Sequence, residues 1–225
     1  MLDGDQPSHA ALSGEFAEKL RAAKLPKLDA QLVRAIALHD AGWGVPDAQA
    51  IMQSRSVSQG SPKSFVDCTV NEFLFAWEKS IDVAASADPA GGWIVSRHFY
   101  RLAEQRLAHF GDNQDDQGKL TRFVEDESRR QSQLAAKQSQ SRAELELLTD
   151  VLQFCDLLSL YVCSGALGHV EFPEYFGVKV RLKVEAETYR LDPPVIEPGA
   201  KFTVAALRHP ASKGVSGQQI ALTII

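Results

Sequence analysis

The chain is expected to be mainly α-helical, with a small β-rich end. Three observations predict this. Between about residues 8 and 162, apolar residues recur at three- and four-residue spacing, the repeat of a helix with one buried face. After Gly165 and Gly168 the period becomes two: Val178, Val180, Leu182, Val184 and Ala186 alternate with Lys179, Arg181, Lys183, Glu185 and Glu187. The 225 residues, 44% hydrophobic and 24% charged, suffice for one full core with a small appendage. The expected division is a helical domain over 1–169 and a small antiparallel sheet over 170–225. That sheet is too small to stand alone and must pack on helices.

The elements follow in order. His9, Leu12, Phe16 and Leu20 share one face of a helix expected over Ser8–Ala23. Its start is either Ser8 as N-cap, or Asp5 with Pro7 in the first turn. A second helix runs from an Asp29 cap to about Asp40, stopped by Gly42, Gly44 and Pro46. The irregular stretch 45–67, with Gly60-Ser61-Pro62, is long for a connection and reads as a binding loop or lid. A third helix, about Thr69–Ala87, turns Phe73, Trp77 and Ile81 inward. A fourth opens at Asp88-Pro89, a cap followed by proline at N1, and carries Ile94, Val95, His98 and Leu102 on its apolar face.

Residues 111–118 read as a polar loop. A helix from about Lys119 becomes almost wholly polar between Glu125 and Glu144. Its pairs Glu125–Arg129 and Asp126–Arg130, acid before base at i, i+4, are each worth roughly 0.2–0.5 kcal/mol. This stretch is expected to be a solvated arm outside the core, suited to a homodimer contact. The segment Leu145–Val162 is the reverse, apolar nearly all round after Gln153, with Asp156 in its middle. Asp192-Pro193-Pro194 and Glu197-Pro198-Gly199 mark turns, and Lys201–Leu207 and Gln219–Ile225 read as two further short strands.

The totals narrow the function. A net charge of -5 without a basic tract disfavours extended contact with nucleic acid, though not a nucleotide as a small substrate. Residues 1–7 are acidic and carry no apolar signal region, and no segment reaches membrane-spanning length. Three cysteines, Cys68, Cys155 and Cys163, form no C-x-x-C pair. A reducing, cytoplasmic protein is expected.

The informative residues are polar ones on apolar faces. Leu28, Leu32 and Ile36 lie four apart, and the next position on that stripe is Asp40, beside His39. A carboxylate arriving on a buried face is costly unless something positive meets it. Asp156 poses the same problem, and His9 and His98 also point inward. Taken alone, His9 is a core residue bonded to a carbonyl. Together they favour one shared buried site, because a divalent ion can partner every one of these groups. Arg97 and Arg101, four apart, form a candidate fork for a phosphate, and Lys79 is a third candidate cation.

The order His, His-Asp, later Asp resembles the HD superfamily of metal-dependent phosphohydrolases. More closely, Leu38-His39-Asp40-Ala41-Gly42-Trp43, Val95-Ser96-Arg97-His98-Phe99 and Leu152-Gln153-Phe154-Cys155-Asp156-Leu157-Leu158-Ser159 resemble a bacterial domain-of-unknown-function family with an HD-like pattern, over about residues 6–210. Gly42-Trp43 and the terminal sheet are not part of the general HD pattern. The resemblance implies an HD-like helical bundle with His9, His39, Asp40 and Asp156 as ligands to a divalent ion (Mn, Fe, Mg, Ni or Zn). It leaves His98 as a ligand to a second ion or as a proton donor, with Arg97, Arg101 and Lys79 stabilising a transferring phosphoryl group.

Three functions are weighed. The first is hydrolysis of a small phosphate ester or nucleotide by a metal-activated water. The second is a di-iron oxygenase of HD type, for which the additional His98 is suited. The third is a non-catalytic binding or interaction protein on an HD-like scaffold.

Overall fold

The computed structural model describes residues 2–3, 6–22, 25, 28–44, 68–165, 168–185, 188–208 and 218–224. The expected lid at 45–67 lies outside the described residues. Among those residues the chain is mainly helical, with one mixed β-sheet whose strands, apart from the first, follow the helices. No helix among them is long and apolar enough to cross a membrane. The chain divides into two compact units, one of residues 1–37 with 150–225 and one of residues 38–149. The change of periodicity at about residue 170 falls inside the first.

The first unit holds α1 (Gln6–Glu18), α2 (Ala30–Ala37), the C-terminal part of α6 (Arg142–Cys163) and the sheet. Helix α1 begins before Ser8, so Ser8 is not its cap, and Pro7 sits in its first turn. It also ends earlier than its apolar stripe suggests. Past Glu18 the backbone leaves the helix to bond the segment before β5: Arg21 N–H donates to the Val195 carbonyl at 2.7 Å, and Glu197 N–H to Lys19 at 2.9 Å. The stripe itself is buried, with Leu12, Phe16 and Leu20 all in the core. Phe16 meets Phe202 of β5 edge to face at 4.7 Å, which seats α1 on the sheet. Asp29 caps α2 as expected, its Oδ1 accepting from Gln31 and Leu32 N–H at 2.9 Å.

Strands β1 (Leu2–Asp3), β2 (Val170–Glu171), β3 (Arg181–Glu185), β4 (Thr188–Asp192), β5 (Ala200–Arg208) and β6 (Gln218–Ile224) lie in the order β1-β5-β6-β4-β3-β2. The sheet was expected to be antiparallel, but β4 and β6 pair parallel, with Thr188 opposite Thr223. The cause is topological. The β5–β6 pair folds back so that β6, not β5, lies beside β4, and β6 runs in the same direction as β4. Strand β1 joins the far edge from the other end of the chain, Leu2 opposite Arg208, a long-range pairing that no local pattern encodes. Before β3, a tight turn at Tyr175–Val178 places Phe176 at φ 43° and Gly177 at φ 75°. The left-handed conformation costs a residue with a Cβ about 1–2 kcal/mol. Burial of the Phe176 ring against Phe154 at 5.4 Å offsets it.

The second unit holds a short 3₁₀ turn (Ala41–Trp43), α3 (Val70–Ala87), α4 (Pro89–His109), α5 (Gln114–Ala135) and the first turns of α6. Thr69 caps α3 in a reciprocal capping box with Glu72. Asp88 caps α4, its carboxylate accepting from Gly91 N–H at 2.7 Å. The aromatic core runs from Trp43 through Phe73 to Trp77, which stacks on Phe99 at 5.2 Å and touches Phe123 at 5.6 Å.

Helix α5 corrects two expectations. It starts inside the supposed polar loop, where Asn113 caps it by accepting from Asp116 N–H at 3.0 Å. It is also no solvated arm. Leu120, Phe123, Glu127, Gln131 and Leu134 form a buried stripe at three- and four-residue spacing. Two of the five are polar, so a hydropathy reading misses the face. Each finds its partner on α4: Ser96 Oγ donates to Glu127 Oε2 at 2.7 Å, and Gln131 Nε2 donates to Ser96 Oγ at 3.1 Å. A buried polar layer is tolerated when its members satisfy one another. Burial pushes the Glu127 carboxyl above the usual range, although the Ser96 bond and the Arg130 charge pull the other way.

Candidate metal centre

In the first unit the ligand-type residues are His9 and Asp156. The helical repeat carries His9 inward with Leu12 and Phe16, and only 3% of it is exposed. Its Nδ1 lies 3.2 Å from Ser159 Oγ and 3.5 Å from Asp156 Oδ1. Asp156 and Ser159 are three apart on α6 and therefore share the face that meets α1. The Ser159 hydroxyl donates to the Asp156 carbonyl at 2.8 Å, which commits its one proton. Its lone pairs then accept, and Nδ1–H is the tautomer that donates to it. That tautomer leaves Nε2 of His9 with the lone pair a metal requires. Ser13, 2.9 Å from Ser159 Oγ, closes the group.

In the second unit they are His39, Asp40 and His98. Helix α2 stops at Ala37, three residues before the expected end. Residues 38–43 tighten into turns, with Ala41 N–H bonded to Leu38 and Trp43 N–H to Asp40. This tightening brings two consecutive side chains, His39 and Asp40, into the interior, where they are 1% and 7% exposed. A regular helix would have turned them about 100° apart, with only one on the stripe. Gly42 makes the turn fit against α3. Its N–H donates to Ser80 Oγ at 2.9 Å, and a Cβ there would stand 1.9 Å from the Ala76 carbonyl oxygen. Trp43 seals the turn by burying its ring edge-on against Phe73.

His39 Nε2 stands 3.9 Å from Asp40 Oδ2. The rings of His39 and His98 meet edge to face, centroids 5.5 Å apart. Two ligands held at about 2.1 Å from one ion lie at most about 4.2 Å apart, so the His39 Nε2–Asp40 Oδ2 separation suits a shared cation, whereas the 3.5 Å approach of His9 to Asp156 is made by the Nδ1 edge that faces Ser159. Neutral imidazole nitrogens with carboxylate oxygens are also a donor set for divalent transition metals.

A family model matches residues 5–204, about the whole span from α1 to β5. The chain belongs to DUF3891. That family is described as a protein of unknown function, and the match takes in all five ligand-type residues of this DUF3891 chain. No curated protein matches it, and no solved structure does.

The three candidate cations of this chain each meet a carboxylate. Arg97 Nε and Arg101 donate to one oxygen of Glu146, at 3.1 and 2.7 Å. Burial raises the Glu146 carboxyl, but the two guanidiniums outweigh it and hold it below the usual range. Lys79 is 57% exposed and lies 4.0 Å from Asp82. Sequence reasoning missed Ser13, Ser80 and Ser159, the hydroxyls that orient the site. Only Ser159 left a signal, its three-residue spacing from Asp156.

Proposed function

We propose that this protein is a metal-dependent phosphohydrolase of HD type, with His9, His39, Asp40 and Asp156 as ligands to one divalent ion and His98 beside them. The observation that carries this reading is an imidazole beside a carboxylate in each unit, His9 with Asp156 and His39 with Asp40. His9, His39 and Asp156 each offer one ligating atom of the right type. The His, His-Asp, Asp order along the chain supports the same assignment. When bound, a divalent ion supplies a water of lowered pKa at neutral pH.

The protein's residues do the rest. Ser159 holds the His9 ring so that Nε2 faces away from the hydroxyl. Asp40 and Asp156 contribute anionic oxygens that balance the charge of the cation. In this reading His98, edge-on against His39, delivers a proton to the leaving oxygen of a small phosphate ester or nucleotide. Arg97 and Arg101 are bonded to Glu146 and Lys79 lies near Asp82, so this reading gives none of the three a part in offsetting charge on the transferring group.

The test is elemental analysis of the purified chain, before and after chelation, for the wild type and for His9→Ala, Asp156→Asn, His39→Ala and Asp40→Ala. One shared ion predicts stoichiometric metal in the wild type and its loss in all four variants. Retention in either pair of variants overturns the shared site. Turnover of a generic phosphodiester or monoester with added Mn²⁺, abolished in Asp40→Ala, is the expected activity.

The 5.5 Å approach of His98 to His39 favours one second reading. An additional imidazole suits two ions, and a di-iron centre would oxidise a small molecule instead. Two iron atoms per chain with oxygen consumption would decide for that chemistry.

A further inference from the structure

The second unit carries a separate cavity of about 360 Å³ that none of the five metal-ligand candidates lines. It lies between α4, α5 and the start of α6. Arg97 lines it although its neighbour His98 turns toward His39; consecutive helical side chains diverge by about 100°, so the two serve different faces of α4. The volume is at the lower end of the range for small-molecule sites, enough for one compact molecule.

The lining defines the ligand. Two guanidiniums, Arg97 and Arg142, face this space, and both approach the same carboxylate, Glu146. Two positive charges against one negative leave the cavity cationic. Arg97 is held by its Glu146 bond and by stacking over the Tyr100 ring at 4.5 Å, so it is oriented before any ligand arrives. Arg142 is 77% exposed and 3.8 Å from Glu146, free to swing to a second anion. Trp93 and Tyr100 are also among the lining residues, and an aromatic ring suits the C–H face of a polyol. Gln131, also in the lining, spends one of its two amide N–H donors on Ser96 and keeps an oxygen able to accept from a hydroxyl.

We propose that this cavity binds a small hydroxylated anion, of the sugar-phosphate or sugar-acid class, at a site distinct from the metal centre. The anion bridges Arg97 and Arg142, and the hydroxylated body lies on the two rings.

Calorimetric titration of the 225-residue protein with glucose 6-phosphate, gluconate, inorganic phosphate and glucose tests it, with intrinsic tryptophan fluorescence as a second readout. At least one of the two hydroxylated anions is expected to bind more tightly than phosphate or glucose, and which of them does so identifies the anionic group. Arg142→Ala removes an exposed side chain and is expected to weaken that binding about tenfold, the value of one charge-assisted hydrogen bond. Ser132→Phe, also at an exposed lining position, is expected to abolish it while leaving thermal stability and metal content unchanged. Equal binding of phosphate and the hydroxylated anions, no binding by any of the four, or full affinity in both variants would overturn the proposal.

Discussion

Glu127 shows how one buried residue sets a pH dependence. It is 1% exposed, its carboxyl is raised by burial, and Ser96 donates to it. A folded-state pKa above the unfolded one means the protonated acid is the form folding favours. Its contribution is therefore complete below the unfolded pKa and is lost as pH rises through the raised folded value. Glu127→Gln keeps an oxygen to accept from Ser96 and removes the charge. The variant should match the wild type in acid and become the more stable of the two as pH rises. Melting temperatures of both proteins across pH check this, and a difference independent of pH would exclude it. Glu146 has the opposite sign. Its carboxyl is lowered, so its contribution is present at neutral pH and is lost on acidification. Glu146→Gln should destabilise at neutral pH and progressively less as the medium becomes acid. Partial exposure of the cluster keeps that effect small.

At the scale of elements, the 38–43 turn is the most demanding feature. It exists because α2 gives up its regular repeat after Ala37 and because Gly42 admits the backbone of α3. Gly42→Ala would drive a methyl group into the Ala76 carbonyl, and backbone cannot yield as a flexible side chain can. The expected cost is about 2–3 kcal/mol in denaturant unfolding, at the upper end for overpacking. The same substitution should displace the His39–Asp40 pair, so metal content should fall with it. The Thr69 capping box is a milder test at the same scale. Thr69→Ala should cost about 1 kcal/mol and leave metal content alone.

For the whole molecule, the proposed ion links stability to composition. A ligand that binds only the folded state stabilises by mass action, about 2.7 kcal/mol at one hundred times its dissociation constant. Chelation should therefore lower the melting temperature of the wild type and have no effect on Asp156→Asn. Calorimetric scans of both proteins with and without chelator measure it. Equal shifts in the two would place the chelator's effect elsewhere.

The helical stripes were legible because periodicity is local. Leu12 and Phe16 around His9, Leu32 and Ile36 before Asp40, and Val95 beside His98 announce which face each helix buries, and so mark the polar residues that arrive there. The strands from 181 onward announced themselves in the same way, apart from β4, whose five residues were hidden next to a turn. Partners were another matter. Glu146 engages Arg97 and Arg101 from 49 and 45 residues away, Ser159 engages His9 from 150, and β6 reaches β4 past an intervening strand. Glu127 and Gln131 were read as solvated because their polarity masks a helical face that Ser96 and Arg130 make habitable. The sequence by itself determined which apolar side chains turn inward, since that depends on a 3.6- or 2-residue repeat. The tertiary structure alone decided what each meets there, because hydrogen bonds and ion pairs are made between segments whose separation along the chain carries no information about their distance in space.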